Sequence, residues 1–464
     1  MSKRFPSDNK DASPLGQPLK FEFSGKTAPN RFLKGAMTER LSSWDPVHKE
    51  KRGVPSKELI NVYRRWGEGG LGLILTGNIM ATLGFDKVEL TPITNSQVDY
   101  DNLESPGNMI IPPGAPFEGE RFEAFKELAT QSKAHGSLIV GQVSHPGRQI
   151  TQRLSADPVS ASDVQLEGEV MGMRFAKPHA ASLAEIKDII ERFTHAAEYL
   201  HRAGYDGIQL HGAHGYLLAQ FLSQTTNKRT DQYGGSIENR ARIIVEMARS
   251  IRQRLPASSG FTLGIKMNSV EFQEGGFTTE EARDVCAMLE RAEFDFVELS
   301  GGTYQSLAFV HERESSKKRE AFFLVFADLI TPALKRTKTY VTGGFMTVNG
   351  MVEALKTVDG VGLARPVCQE PRLANDMLRG KVSGALDQLV DRDDFGLTNV
   401  IAGSQIRQMG RDREPIDMSV KENVDLFMKD MAKWAEKMGS GDANNYGFVD
   451  IESAQMRPYG VALS

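Results

Sequence analysis

Lys266 lies inside the apolar run Leu263-Gly264-Ile265-Lys266-Met267. An unpaired ammonium in such a run loses its hydration at a cost of several kcal/mol, and lysine is almost never fully buried without a partner. Either the side chain snorkels to the rim of its element, or it faces a bound anion or a developing negative charge. A Schiff-base nucleophile is the competing chemistry. A second group, His211-Gly212-Ala213-His214-Gly215-Tyr216, follows another apolar run. Two imidazoles three residues apart can converge on one carbonyl or phenolate oxygen, and Tyr216 offers a phenolic proton. A metal would need a third ligand, and none stands at ligand spacing.

These residues need rigid elements to aim them. Asp206-Gly207-Ile208-Gln209-Leu210 is echoed by Asp295-Phe296-Val297-Glu298-Leu299 and by Asp359-Gly360-Val361-Gly362-Leu363. Each follows an amphipathic segment: Leu183 to Leu200 with Gly204 as a left-handed cap, Thr279 to Arg291, and Val348 to Thr357. Such recurrence indicates one repeated βα unit. Adding Arg31 to Met37, Leu71 to Thr76, Leu138 to Gln142, Phe261 to Met267 and Tyr340 to Thr342 brings the expected strands to eight. Apolar strands alternating with helices imply a parallel sheet covered by helices. A closed (β/α)8 TIM barrel fits this α/β pattern, and an open doubly wound sheet shares it locally. Two stretches interrupt the repeat. Gly84 to Gly119, rich in Pro, Gly and Asn, reads as a long loop inserted in the second unit. Lys381 to Ser464 reads as an extension with one clear amphipathic helix, Val424 to Met438. The expected division is therefore a barrel with an N-terminal arm over 1–380 and a helical extension over 381–464, packed on the barrel or on a neighbouring subunit.

In such barrels the strand C-termini carry the active face. There the strands deliver Thr38, Gln142, His211, Lys266 and Asn268. Gly301-Gly302 follow the sixth strand, Gly343-Gly344 the seventh, and Ala364-Arg365 the eighth. Bare backbone N–H groups on the late strands, with an arginine, make a phosphate site. A phosphate site beside a buried cation suggests a phosphorylated cofactor, and FMN fits. Gln142 can pair with the pyrimidine edge of an isoalloxazine, Lys266 can stabilise the charge of its reduced form, and Thr38 can donate to its other carbonyl.

At this point the chain resembles the old yellow enzyme family of FMN-dependent NAD(P)H:flavin oxidoreductases. The resemblance rests on His211-Gly212-Ala213-His214-Gly215-Tyr216-Leu217-Leu218-Ala219-Gln220-Phe221-Leu222-Ser223 and its continuation through Asn227, Arg229, Asp231, Tyr233-Gly234-Gly235-Ser236 and Glu238-Asn239-Arg240. Gln142-Val143-Ser144-His145-Pro146-Gly147-Arg148-Gln149 and Asn30-Arg31-Phe32 through Thr38 add to it. It implies a TIM barrel in which Thr38, Gln142 and Lys266 contact the flavin, while Gly344, Ala364 and Arg365 hold its phosphate. It further implies that His211 and His214 bind the substrate oxygen, that Tyr216 donates the proton, and that NADH or NADPH is co-substrate. The Arg229–Arg240 stretch would be a structural collar, with Ser236 as a helix N-cap. Two departures stand out: Lys266 where the family often has Arg, and Ala36 in place of a common Pro.

The expected activity is hydride transfer from NAD(P)H to an electron-poor alkene such as an α,β-unsaturated carbonyl. A Schiff-base lyase using Lys266 on a phosphorylated substrate and a non-catalytic flavin-binding protein are the rivals. With 56 basic against 60 acidic residues the net charge is −4, which disfavours a large nucleic-acid footprint. Cys286 and Cys368 alone exclude a disulfide scaffold or a cysteine-ligated cluster. The first residues lack an apolar signal core, the strongest apolar run, Leu71 to Leu75, is too short to span a bilayer, and the last four residues match no sorting signal. The expectation is a cytoplasmic protein with small-molecule partners, no nucleic acid and no membrane. A homo-oligomer and the choice of nicotinamide are left open.

Overall fold

The computed structural model describes residues 3–81, 100–169, 172–271, 273–301, 324 and 326–460. Eight parallel strands close on one another: β1 (Phe32–Lys34), β2 (Leu73–Leu75), β3 (Leu138–Ser144), β4 (Gly207–Gly212), β5 (Thr262–Asn268), β6 (Phe296–Ser300), β7 (Lys338–Thr342) and β8 (Gly360–Leu363). Closure is completed by β8 on β1, with Gly362 opposite Leu33. The barrel expectation therefore holds over the open sheet, and all eight strands lie where the apolar runs put them.

Inside the barrel, Leu33, Leu73, Leu75, Leu138, Val140, Phe296 and Tyr340 form an apolar floor. Leu19, Phe21 and Ala28 plug it from below, carried by a hairpin that pairs Leu19–Lys20 with Thr27–Ala28. The echoed aspartates act at this end. Asp206 Oδ2 accepts from Ile139 N of β3 at 3.0 Å, Asp295 Oδ2 from Leu263 N of β5 at 2.9 Å, and Asp359 Oδ2 from Thr339 N of β7 at 2.9 Å. Each leading Asp thus satisfies a backbone donor at the start of the preceding strand. Asn30 does the same work for the first pair, accepting from Phe32 N and donating to Gly70 O.

Helices α1 (Lys57–Glu68), α2 (Gly119–Lys133), α3 (Leu183–Arg202), α4 (Arg242–Arg254), α5 (Thr279–Arg291) and α6 (Val348–Ala354) surround the strands. Capping boxes Ser182/Glu185 and Thr278/Glu281 start α3 and α5, and Gly204 follows α3 at φ 86°, as the sequence predicts. α3 buries Ile186, Ile189, Phe193, Ala196, Ala197 and Leu200, each large side chain contributing roughly 1.5–3 kcal/mol.

The interrupting stretches are more structured than expected. Residues 84–99 of the Gly84–Gly119 stretch lie outside the described residues. Beyond them Met109–Ile111 forms a strand beside Ile79–Ala81, which in turn pairs with the end of β3. In the extension, α8 (Lys421–Gly439) matches the expected helix, but a second helix, α7 (Phe395–Gly410), precedes it. Ala402, Ile406 and Met409 of α7 join the main core, and Ile401 joins a second cluster with Val424 and Phe427 of α8. A helix covered on both sides lacks the polar stripe by which helices are recognised in sequence. Among the described residues no helix is long and apolar enough to cross a membrane.

Candidate active site

Above the apolar floor the barrel interior becomes polar. Lys266 Nζ lies 3.0 Å from Glu298 Oε1, both side chains buried. Thr342 Oγ1 donates to the same oxygen at 2.5 Å. Gln209 Nε2 donates to Glu298 Oε2 at 2.8 Å, and Gln209 Oε1 accepts from Gln142 Nε2 at 2.7 Å. Register explains the set: Gln142 faces Gln209 across β3–β4, and Lys266 faces Glu298 across β5–β6. Lys266 is therefore a paired cation rather than the free amine from which a Schiff base starts. Its partner Glu298 was missed in the sequence, although the rule that lysine is not buried alone called for an acid on a neighbouring strand. The amide nitrogen of Gln142 is engaged, which turns its oxygen toward any ligand N–H.

His211 is the penultimate residue of β4, and His214 follows at φ 59°, a left-handed conformation unusual outside glycine. That bend brings His214 Nδ1 to 3.3 Å from His211 Nε2. The loop is held by residues of both sequence motifs. Gln149 Nε2 donates to His214 O, Gln220 Nε2 to Gly215 O, Leu217 N to His145 O, and His214 N to Asn268 Oδ1. Tyr216 caps the short helix Leu217–Leu222, its ring 4.5 Å from that of His211. Burial, then His214 and Lys266, holds His211 well below the usual imidazole range. Burial, then Lys266, depresses His214 to about 3. Both rings are neutral at pH 7.

Neutral rings have one N–H each, and the network assigns it. Asn78 Nδ2 donates to the Glu104 carboxylate at 2.8 Å, so its Oδ1, 2.9 Å from His211 Nδ1, must accept. His211 is then protonated on Nδ1, with Ser144 Oγ also 3.3 Å from that atom. Its Nε2 is a bare lone pair, which takes the Nδ1–H of His214. Ser300 Oγ, 2.9 Å from His214 Nε2, donates in turn. Glu104 also accepts from Thr38 Oγ1 at 2.9 Å and from Asn108 Nδ2 at 3.3 Å. Neither Glu104, in the Gly84–Gly119 stretch, nor Asn78, just past the end of β2, is singled out by the sequence, because an acid and an amide in loops look ordinary there.

On the opposite side of the mouth, Gly343 and Gly344 follow β7 at φ 142° and 80°, conformations open to glycine. Ala364 and Arg365 follow β8, and Arg365 NH1 donates to Thr398 Oγ1 of α7 at 2.5 Å. Gly301 follows β6, and Gly302 lies outside the described residues. The Arg229–Arg240 stretch is tied down throughout. Arg229 reaches Ala161 O and Ala181 O, Arg240 reaches Leu222 O and Glu281, and Ser236 caps Ile237–Arg240.

This donor set suits an isoalloxazine with a phosphate tail. A buried cation and a turned-out amide oxygen lie on one side, and a glycine cradle beside an arginine lies on the other. Asn268 Nδ2, buried without a hydrogen-bond partner among the described residues, is a donor of the kind a ligand satisfies. A parallel barrel so equipped defines a phosphocofactor-using barrel enzyme. Residues 107–380 match the family model described as NADH:flavin oxidoreductase / NADH oxidase family. An NADH-dependent flavin oxidoreductase of Aspergillus parasiticus is 48% identical over 92% of each chain. One of Talaromyces variabilis is 33% identical over 75% of this chain and 83% of its own. The fold is shared with morphinone reductase in complex with tetrahydroNAD, at TM-score 0.61 and 22% identity over 80% of this chain and 92% of that one. It is shared as well with the old yellow enzyme homologue from Zymomonas mobilis, at TM-score 0.61 and 20% identity over 83% of this chain and 98% of that one. The chain belongs to the NADH:flavin oxidoreductase family of old yellow enzymes. It is an NAD(P)H-dependent flavin oxidoreductase with FMN as cofactor.

Proposed function

We propose that the electron acceptor is an electron-poor alkene conjugated to an oxygen-bearing activating group, bound at the His211–His214 side of the mouth. When bound, FMN would supply the redox chemistry, that of hydride transfer between a nicotinamide and an alkene. Thr38, Gln142 and Lys266 would hold the ring, and Gly301, Gly302, Gly343, Gly344, Ala364 and Arg365 its tail. The observation that carries this reading is the grouping of two neutral imidazoles 3.3 Å apart with the Tyr216 ring against one of them. A substrate oxygen would replace His211 Nε2 as the acceptor of the His214 Nδ1–H, and Tyr216 would supply the proton that completes the reduced C–C bond. The Glu298 pairing of Lys266 favours this reading over the lyase.

Anaerobic titration of the yellow protein with NADH or NADPH tests it, followed by reoxidation with an α,β-unsaturated ketone. Tyr216→Phe is expected to leave bleaching by the nicotinamide unchanged and to slow alkene reduction by about 10²–10⁴-fold, the usual contribution of a positioned general acid. Equal loss in both half-reactions would contradict the role of Tyr216. A flavin that no nicotinamide bleaches would favour the non-catalytic rival.

A further inference from the structure

Lys266 does not bring a lone positive charge to the barrel mouth. Its Nζ lies 3.0 Å from Glu298 Oε1, and the two residues face each other in the β5–β6 register. Among the described residues three donors converge on this carboxyl: Lys266 and Thr342 Oγ1 at Oε1, and Gln209 Nε2 at Oε2. That is the arrangement of an ionised carboxylate, which only accepts. Glu298 is fully buried and Lys266 nearly so, so mobile counterions screen the pair little. A lone ammonium against an isoalloxazine would favour the electron-rich reduced ring and raise its potential. A carboxylate in contact with that ammonium works the other way, because the ring then feels the charge of the pair. The N–H groups of Lys266 remain available as donors, while most of the net charge is withdrawn.

We propose that Glu298 is a positioning residue that acts through Lys266: it offsets the lysine charge and holds the potential of bound FMN below the value an unpaired lysine would give. A lower potential makes the reduced flavin the stronger donor to its acceptor, at some cost to its reduction by the nicotinamide. The proposal rests on Lys266 facing the flavin ring, as in the reading above.

The test is the midpoint potential of the FMN-loaded protein, read against a redox dye during anaerobic reduction. Glu298→Gln keeps the size and an acceptor oxygen and removes only the charge. It is expected to shift the two-electron equilibrium toward reduced flavin by about tenfold, a rise of about 30 mV, the order expected when a buried unit charge near the ring is lost. Glu298→Asp keeps the charge and is expected to stay near the parent value. An unchanged or lowered potential in Glu298→Gln overturns the proposal, since an acid that merely aimed Lys266 would, once lost, let the cation drift from the ring. Should Glu298→Gln fail to fold, Lys266→Gln/Glu298→Gln takes its place, with both charges gone and a donor kept at each position. Its potential is expected near that of the parent; a fall of about tenfold or more in the same equilibrium overturns the proposal. Lys266→Gln alone is the control and is expected to lower the potential. No change in that control would strike the placement of Lys266 against the flavin. A fall there without a rise in Glu298→Gln would strike the role of Glu298 alone.

Discussion

Two buried lysines do opposite things to this protein. Lys266 faces inward and is paired with Glu298; removing the acid alone strands a cation. Glu298→Ala is expected to cost about 3–5 kcal/mol in denaturant unfolding, with Lys266→Met/Glu298→Leu recovering most of it. Lys34, fully buried, faces outward from β1 against α1, its Nζ 3.9 Å from the centre of the Trp66 ring and 3.1 Å from Leu75 O. Burial, against the opposing pull of Glu39, lowers it from 10.5 to about 8. A lysine depressed in the fold destabilises it wherever the unfolded chain holds the proton more tightly. The cost is full below about 8 and vanishes above the ordinary lysine value. Lys34→Met is therefore expected to be the more stable protein at pH 7, by about 1–3 kcal/mol. The gap between the two proteins should close as pH rises from 8 to 10.5 in parallel denaturation curves. At this scale the sequence was legible for Lys266, His211, His214 and Tyr216, whose types are conspicuous where they stand. Glu298 and Glu104 were not, because an acid in an echoed strand or a loop looks ordinary until its neighbours in space are known, and neither was Lys34, in an expected strand that also carries Arg31.

Elements were legible where one face meets water and the other the core. α3 and α5 announced themselves by spacing and caps, and the strands by apolar runs between helices. α7 did not, since barrel and α8 cover it on both sides. The echoed aspartates, which in sequence mark only the repeated entry into a strand, are anchors. Asp295 is fully buried and takes Leu263 N, Ser24 N and the Arg252 guanidinium. Its replacement by Ala leaves these donors and a buried cation unanswered. Asp295→Ala is expected to lose about 3–5 kcal/mol, whereas Ser182→Ala at the start of α3 should lose only about 1. Thermal unfolding of the two variants side by side separates these expectations.

Across the whole molecule the extension closes back on the barrel mouth. Thr398 of α7 receives Arg365, Ala443 O receives the Trp44 indole, and Phe448 lies under Arg40. Thr398→Val is expected to loosen FMN severalfold in a dialysis or fluorescence titration while leaving the melting temperature near the parent value, since only one partner of Arg365 is removed. The polar links at the barrel floor have a different consequence. Through their side chains, Asn30, Asp206, Asp295 and Asp359 bind first to second, third to fourth, fifth to sixth and seventh to eighth strand, and among the described residues none of these side chains binds fourth to fifth. A polypeptide divided in the Pro256–Gly260 turn keeps each of these strand-to-strand couples on one piece, and the contacts of Asp295 with Ser24 and Arg252 are left to join the pieces, so the two co-expressed halves should find each other and regain yellow colour. Division between Arg202 and Gly204 parts Asp206 from Ile139, and those pieces should remain colourless.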